Sequence, residues 1–484
     1  MRAVGLIGVG TMGRNLALNL ARHGYQVVLY DRDLQRVKDW VEQYPEVGLV
    51  AAMSLGNLME HLSRPRVLWL MIPSGRSIDQ LLRMLRNWLQ PGDVVMDGGN
   101  SHFMDTERRF RTLAKWDIAY LGVGVSGGAE GALHGPSLMV GGDFTAYQRL
   151  AAMLQSMAAR AQDESPCVAF LGKGGAGHYV KMVHNGIEYA LMQAIAEAYD
   201  LLSRLARLSP MELAGIFEGF QKGALRSYLM DITVDVLRRK DPESGQPLIE
   251  RVLDKAEQKG TAIWATQEAL QMGLPLPMIS QAVEARFLST LKDQRIVATQ
   301  RLPGATLRPP ERQSLVEATR DALEACFLIG YAHGFALLSA GALTHGYAIS
   351  LKEVARIWRA GCIIRSVILE DLYAILSTEQ EQTDLLLTDY FFERFSRLLP
   401  GWRKTVGLGV ANGIPLPGMA AALAYYDGFR SERLPANLIQ ALRDCFGNHT
   451  FERIDRPGKF HVNWRERDES SNSSGKPSEA GLND

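Results

Sequence analysis

Residues 2–13 read R-A-V-G-L-I-G-V-G-T-M-G. Arg2–Ile7 is a short apolar run with strand character. The turn Gly8-Val9-Gly10-Thr11-Met12-Gly13 then passes straight into a helical pattern over Arg14–His23, and a second strand pattern, Gln26–Tyr30, ends in Asp31. A lone G-x-G-x-x-G is weak evidence. Between a strand and a helix, with an acidic residue closing the next strand about 20 residues on, it specifies a βαβ unit that holds a dinucleotide. Gly8 permits the tight turn, Gly10 lets backbone approach a pyrophosphate, and Gly13 lets helix and strand pack closely. The helix N-terminus adds unpaired N–H groups and partial positive charge for the phosphates. Asp31 stands where a carboxylate accepts hydrogen bonds from ribose hydroxyls and repels a 2′-phosphate. Arg32 could stack on adenine or grip that phosphate. With Asp33 following, two acids around one arginine favour NAD, and the choice between NAD and NADP stays open.

Outward from this unit the strand–helix alternation continues. Arg66–Ile72, Asp93–Asp97, Ala119–Val123, Ser137–Val140 and Cys167–Leu171 read as strands. Ser77–Leu89, Thr106–Lys115 and Thr145–Ala159 read as helices. This predicts a Rossmann-type α/β domain over residues 1–175, a parallel sheet with helices on both faces and ligands at the carboxyl ends of its strands. Three of those ends are rich in glycine and polar groups: Pro73-Ser74-Gly75, Asp97-Gly98-Gly99-Asn100-Ser101 and Val125-Ser126-Gly127-Gly128. Each alone is ordinary turn chemistry. Together, at one edge of a dinucleotide fold, they read as a site.

Gly174–Tyr189 reads G-G-A-G-H-Y-V-K-M-V-H-N-G-I-E-Y and opens a long apolar helix pattern. Lys181, His184, Asn185 and Glu188 fall at i, i+3, i+4 and i+7, one stripe on one face. Apolar residues cover the rest, so the helix is expected to be buried. Two readings of the stripe are open. One is a structural ion pair, Lys181 with Glu188 or Glu188 with His184. The other is an acid/base site, with desolvation moving the lysine pKa down and the glutamate pKa up. Helix patterns then follow one another over residues 176–433, Leu248–Glu257 among them, and predict a large all-helical domain. Residues 434–484 form a C-terminal tail, expected to be disordered after about 465. Gln258-Lys259-Gly260-Thr261, Arg286, and Arg443 and His449 around Cys445-Phe446-Gly447 are either surface groups or parts of a phosphate pocket.

The 484 residues exceed one core and predict two or three domains. Basic and acidic residues balance at 53 each, with no long basic run, which gives a nucleic-acid or membrane-surface role no support. No 18-residue charge-free apolar span is recognised. The four cysteines are dispersed without C-x-x-C, so neither a metal site nor a disulfide framework is expected, and a reducing cytoplasm fits.

Over residues 1–464 the sequence resembles the decarboxylating 6-phosphogluconate dehydrogenases. The resemblance rests on G-x-x-x-M-G-x-N (Gly8–Asn15), D-G-G-N-S (Asp97–Ser101), G-V-S-G-G-x-x-G-A (Gly124–Ala132) and G-P-S-L-M (Gly135–Met139). It continues through G-A-G-H-x-V-K-M-V-H-N-G-I-E-Y (Gly175–Tyr189), Q-K-G-T (Gln258–Thr261), G-C-I-I-R-S (Gly361–Ser366) and L-P-A-N-L-I-Q-A (Leu434–Ala441). It implies oxidative decarboxylation of 6-phosphogluconate to ribulose 5-phosphate, a step of the pentose phosphate pathway, with NAD or NADP and no metal. Lys181 is implied as general base and acid, and Glu188 as proton donor to C1. Asn100, Ser126, Gly127, Gly128, His184 and Asn185 match positions that hold the sugar acid, while Tyr189, Lys259, Thr261 and Arg286 match its phosphate site. Arg443 and His449 match residues that reach the site from the second subunit of a homodimer. The cofactor positions are Gly8, Val9, Gly10, Thr11, Met12, Gly13, Asp31, Arg32, Asp33, Ile72, Pro73, Ser74 and Asn100. Two departures touch the cofactor. Asp31-Arg32-Asp33 stands where many relatives have Asn-Arg-Ser/Thr, and Pro73-Ser74-Gly75 where many have Lys-Ala-Gly. Both remove groups suited to a 2′-phosphate or add charge against it. A hydroxyisobutyrate-type dehydrogenase shares the sheet and the lysine but stops near 300 residues.

Overall fold

The computed structural model describes residues 3–45, 47–258, 260–378 and 384–465. Lys259 and the tail expected to be disordered after about 465 lie outside the described residues. Contacts divide the chain into two units, Met1–Leu423 and Ala424–Asp484.

The first unit begins with an eight-stranded sheet. Its elements are β1 (Ala3–Ile7), α1 (Thr11–Arg22), β2 (Gln26–Tyr30), α2 (Leu34–Gln43), β3 (Leu49–Ala51), α3 (Leu55–Glu60), β4 (Val67–Leu70) and α4 (Arg76–Leu85). Next come β5 (Val94–Asp97), α5 (Phe103–Ala114), β6 (Ala119–Ser126), α6 (Gly128–His134), β7 (Ser137–Gly142), α7 (Phe144–Met157) and β8 (Val168–Phe170). The strand order is β3-β2-β1-β4-β5-β6-β7-β8. Alternating residues of β1 feed two cores. Val4 and Leu6 join the cluster under α1, α2 and α7, and Ala3 and Ile7 join the cluster under α3, α4 and α5. Each fully buried aliphatic side chain contributes about 1.5–3 kcal/mol, so both faces hold the sheet. The register sets Ile7 level with Tyr30 and Leu70, and Leu70 level with Asp97. The turns after β1, β2, β4 and β5 therefore open on one crevice, where the strand order reverses.

The expected all-parallel sheet needs one correction. β6 and β7 are antiparallel, and β8 runs parallel to β7. Only residues 127–136 separate β6 from β7, too short a connection for a parallel crossover. Gly127 at φ +117° and Gly135 at φ +141° turn the chain back.

Helices follow: α8 (Ala176–Ala206), α9 (Pro210–Phe220), α10 (Tyr228–Arg238), α11 (Thr261–Gln271), α12 (Pro277–Thr290) and α13 (Lys292–Arg301). Then come α14 (Arg312–His345), α15 (Leu351–Trp358), α16 (Val367–Thr378), α17 (Asp389–Ala411) and α18 (Pro417–Phe429), the last crossing the boundary between units. The helix expected over Leu248–Glu257 is a correction: only a 3-10 turn, Leu248–Arg251, forms. Downstream, Asp254 pairs with Lys292 and with Arg295 at 2.9 Å, and Ala256 N–H donates to Ser289 Oγ at 2.9 Å. These tertiary partners replace the helical hydrogen bonds. A second correction concerns membrane-spanning length. Residues 325–351 carry no Asp, Glu, Lys or Arg, and α14 is long and apolar enough to cross a bilayer. Most of that apolar stretch is buried inside the unit, where Gly334 packs against Ile187 and Tyr179 OH donates to Leu337 O at 3.1 Å.

α8 packs against β6 and β7 almost without intervening side chains. A Cβ on Gly177 would stand 2.4 Å from Gly122 O, 2.5 Å from Met139 O and 2.6 Å from Gly141 N. All three neighbours are backbone, so Gly177→Ala must part helix from sheet. We expect a cost of about 3 kcal/mol and a Tm lower by roughly 3 °C in thermal unfolding. A Tm within about 0.5 °C of the parent would mean that the sheet yields.

The second unit contains α19 (Ala436–Gly447), β9 (Phe451–Glu452) and β10 (Lys459–Phe460), the two strands antiparallel. It folds around the buried Asp444. That carboxylate accepts from Thr450 N–H at 2.9 Å, His461 Nδ1 at 2.9 Å and Trp464 Nε1 at 2.7 Å.

Candidate active site

The N-terminus of α8 is fixed by its glycines. Gly174 adopts φ +61°, and a Cβ there would collide with Glu107. Without one, Glu107 Oε2 reaches Gly175 N–H at 2.9 Å and brings negative charge to the helix start. Two turns on, a Cβ at Gly124 would lie 2.5 Å from Lys181 Cβ. Gly124 thus leaves room for the lysine stem between helix and sheet.

Lys181, His184 and Asn185 are buried, and Glu188 is 22 % exposed. Asn185 Nδ2 donates to Thr261 Oγ1 at 2.9 Å, which turns Oδ1 toward His184 Nδ1 at 3.1 Å. That arrangement assigns the imidazole proton to Nδ1 and leaves Nε2 to accept from Ser126 Oγ at 2.9 Å. Ser126 Oγ in turn accepts from Ile363 N–H at 3.3 Å. Burial, then the neighbouring Lys181, holds His184 well below its ordinary pKa, so the ring is neutral. Its 3.7 Å contact with Glu188 is therefore not an ion pair. Among the described residues Lys181 has no carboxylate within 4.0 Å, and its amine stands 3.5 Å from His184 Nδ1. Desolvation lowers the Lys181 pKa and raises that of Glu188, each opposed by the other's charge. A base and an acid of this kind, on one helix face and mostly dry, can exchange protons with one bound molecule.

Beyond Glu188 lie Tyr189 and Arg286, whose guanidinium sits 3.4 Å over the Tyr189 ring. Arg286 donates to Glu257 O at 3.3 Å and has no carboxylate within 4.0 Å among the described residues. Its cation is free to meet an anion. Gly127 and Gly128 follow Ser126 with positive φ, and Gly127 presses on Gly361 O, where a Cβ would come within 2.5 Å. Lys259 is outside the described residues. Arg443 and His449 belong to the second unit, where Arg443 donates to Gln440 Oε1 at 3.1 Å.

The crevice fits a dinucleotide. Gly8 sits at φ +106° and a Cβ on Gly13 would strike Gly8 O at 1.9 Å, while a Cβ on Gly10 would point into open space. Space is kept where a pyrophosphate must come against backbone, next to Thr11 and Met12 in the first turn of α1. Asp31 accepts from Val9 N–H at 2.7 Å and Asp33 N–H at 3.1 Å. Asp33 in turn caps α2 through Arg36 N–H at 3.1 Å. A cavity of about 400 Å³ opens beside them, lined by Gly10, Asp31, Arg32, Ile72, Pro73 and Leu81 among others. Ser74 and Asn100 are exposed on the adjoining turns.

Family comparison agrees with this architecture along nearly the whole chain. The model described as "NAD binding domain of 6-phosphogluconate dehydrogenase" matches residues 3–172, and "6-phosphogluconate dehydrogenase, C-terminal domain" matches residues 177–464. The chain belongs to the 6-phosphogluconate dehydrogenase family. The decarboxylating 6-phosphogluconate dehydrogenase of Lactococcus lactis subsp. lactis is 44 % identical over 466 residues, covering 96 % of this chain and 99 % of that one. The NAD(+)-dependent decarboxylating enzyme of Bacillus subtilis is 43 % identical, covering 96 % and 99 %. The solved 6-phosphogluconate dehydrogenase of Plasmodium falciparum, described in apo form and with its cofactor NADP+ and its substrate 6-phosphogluconate, superposes with a TM-score of 0.91. It is 35 % identical and covers 96 % of this chain and 100 % of that one. The chain is therefore an oxidoreductase of this family whose first domain takes a nicotinamide dinucleotide. Relatives of both cofactor types occur.

Some supporting residues escape sequence reasoning. Ile363, inside the G-C-I-I-R-S segment of the family, fixes Ser126, and Tyr331 OH holds Ile364 O at 2.6 Å. The segment itself was visible as a family motif, but its contact with Ser126 spans 237 positions of sequence.

Proposed function

We propose that the chain oxidatively decarboxylates 6-phospho-D-gluconate to D-ribulose 5-phosphate and CO2 with reduction of NAD(P)+. The observation that carries this reading is the amine of Lys181. It is buried, free of any carboxylate within 4.0 Å among the described residues, and on the same helix face as Glu188. When bound, the dinucleotide supplies the acceptor for the hydride from C3. Lys181, neutral, takes the C3 hydroxyl proton, and the C3 carbonyl so formed is the electron sink that lets C1 leave as CO2. Lys181, now an ammonium, returns its proton to that carbonyl oxygen, which gives an enediol. Glu188 then protonates the carbon that carried the carboxylate, and Lys181 recovers the enediol proton, leaving the ketone of the product. Asn100, Ser126, Gly127, Gly128, His184 and Asn185 orient the sugar acid. Tyr189, Lys259, Thr261 and Arg286 receive the phosphate.

In this reading Arg443 and His449 complete the site of a second copy. Leu438, Ile439, Leu442 and Phe446, each more than half exposed on one face of α19, support a homodimer by leaving an apolar surface for it to cover.

The test is initial rate on 6-phosphogluconate with NAD and with NADP, following reduced cofactor and CO2 together. Equal yields of both products are expected. If neither cofactor is reduced, the substrate assignment fails.

NAD is the preferred cofactor in this reading, because the Asp31 carboxylate is aimed into the adenosine cavity by two backbone N–H groups. A 2′-phosphate there would meet a fixed negative charge. Asp31→Asn is expected to raise the NADP-to-NAD ratio of kcat/KM about tenfold, the worth of about 1.4 kcal/mol. An unchanged ratio removes Asp31 from the specificity argument.

A further inference from the structure

Two of the strand-end turns that open on the cofactor crevice are Pro73–Gly75 after β4 and Gly98–Ser101 after β5. One side chain, from neither turn, touches both. Arg109, on α5, is 1 % exposed. Its Nη2 donates to Gly75 O at 2.9 Å, and its Nε donates to Asp79 Oδ1, in the first turn of α4, at 2.9 Å. On the other side Nη1 donates to Ser101 Oγ at 3.3 Å and lies 3.5 Å from Asp97 Oδ2. Asp97 is fully buried and organises its own turn. Its Oδ1 accepts from Gly99 N–H at 3.1 Å, and its Oδ2 accepts from Ser101 Oγ at 2.7 Å and Tyr120 OH at 2.8 Å. His178, in the first turn of α8, bonds through Nδ1 to Thr106 Oγ1 at 2.7 Å.

We infer that Arg109 is a positioning residue for the cofactor: its buried guanidinium clamps the turn at the adenosine end of the crevice to the turn that carries Asn100. This rests on the dinucleotide reading above. The planar fork can meet Gly75 O, Asp79 and Ser101 at once because its donors diverge from one rigid group. An ammonium is a single point and cannot span the two turns. Gly75 holds φ +83°, and nothing beyond its chain neighbours lies within 4 Å of where a Cβ would stand, so the bond from Arg109 is what ties this point of the turn down. A ligand that touches one turn is indifferent to their mutual register. A dinucleotide that touches both is not.

Calorimetric titration of the full-length chain with NAD+ and with ADP tests this. ADP reaches the glycine turn and the adenosine cavity but not Asn100. Arg109→Lys keeps a cation near Asp97 and is expected to weaken NAD+ binding about tenfold and ADP binding less than about threefold. Ser101→Ala removes no charge and is expected to act in the same direction with a smaller loss. If Arg109 only neutralises Asp97 and fastens α5 to the sheet, the variants lower Tm and leave NAD+ affinity unchanged in the folded protein, which overturns the inference. Equal weakening of both ligands overturns it too, because the defect would then be general. Should Arg109→Lys fail to fold, Ser101→Ala decides alone: selective loss of NAD+ supports the clamp, and unchanged affinity refutes it. An unsubstituted chain that binds neither ligand refutes the dinucleotide reading itself.

Discussion

Lys181→Ala is expected to lower kcat on 6-phosphogluconate by about 10³-fold or more, with the affinity for the dinucleotide unchanged within about twofold. The amine is the only group of the α8 stripe placed to take a hydroxyl proton, since His184 gives its Nε2 lone pair to Ser126 and its Nδ1 proton to Asn185. Lys181→Met separates chemistry from packing. Methionine keeps most of the stem that fills the space beside Gly124 and loses only the amine. Burial depresses the Lys181 pKa below its ordinary 10.5, so between the folded value and 10.5 the unfolded chain binds the proton that the folded chain releases. Stability therefore rises with pH across that window, and at lower pH this lysine destabilises the fold. Lys181→Met relieves that penalty, and its Tm at neutral pH is expected to equal or exceed the parent's while turnover is lost. Turnover that survives in either variant would show that another group is the base.

That a lysine could be singled out at all reflects what short-range pattern carries. The i, i+3, i+4, i+7 spacing of Lys181, His184, Asn185 and Glu188 is a property of one helix, and so is the strand–turn–helix setting of Gly8, Gly10 and Gly13. Both are legible because their geometry is local. The reversal of β7 is not, because alternation of strands and helices says nothing about direction when the connecting helix is as short as α6. The Leu248–Glu257 segment has helical periodicity, but Ser289, Lys292 and Arg295 supply better partners from about 35–40 residues away. Arg109 shows the limit most plainly. In sequence it is one of three arginines on an amphipathic helix, ordinarily solvated groups. Its contact with Gly75 spans 34 positions and exists only once β4, β5 and α5 have assembled. Asp31 was legible as an acidic residue at a strand end. Its aim, set by Val9 and Asp33 N–H groups, was not.

Glu188→Gln probes the other end of the stripe, and its clearest signature is in the pH profile. In the proposed mechanism the active form has Lys181 neutral and Glu188 protonated. Rate therefore climbs with pH while Lys181 loses its proton and falls at higher pH as Glu188 loses its own. Desolvation moves the two pKa values toward each other, lysine down and glutamate up. That makes the doubly competent form more populated near neutrality than it would be in water. The two limbs belong to the pair rather than to single residues, yet one feature does not depend on which group titrates first. Above both pKa values the only fall in rate comes from ionised Glu188. Glutamine cannot ionise, so the alkaline fall is expected to vanish in Glu188→Gln while the acid limb persists, with kcat about 10²–10³-fold lower. The amide keeps the volume of the side chain and removes only the transferable proton. Decarboxylation should then outrun product formation, and CO2 should be released ahead of ribulose 5-phosphate in a single turnover. If the alkaline fall remains in the glutamine variant, the proton to C1 of the product comes from elsewhere, and Glu188 acts on the lysine through charge alone.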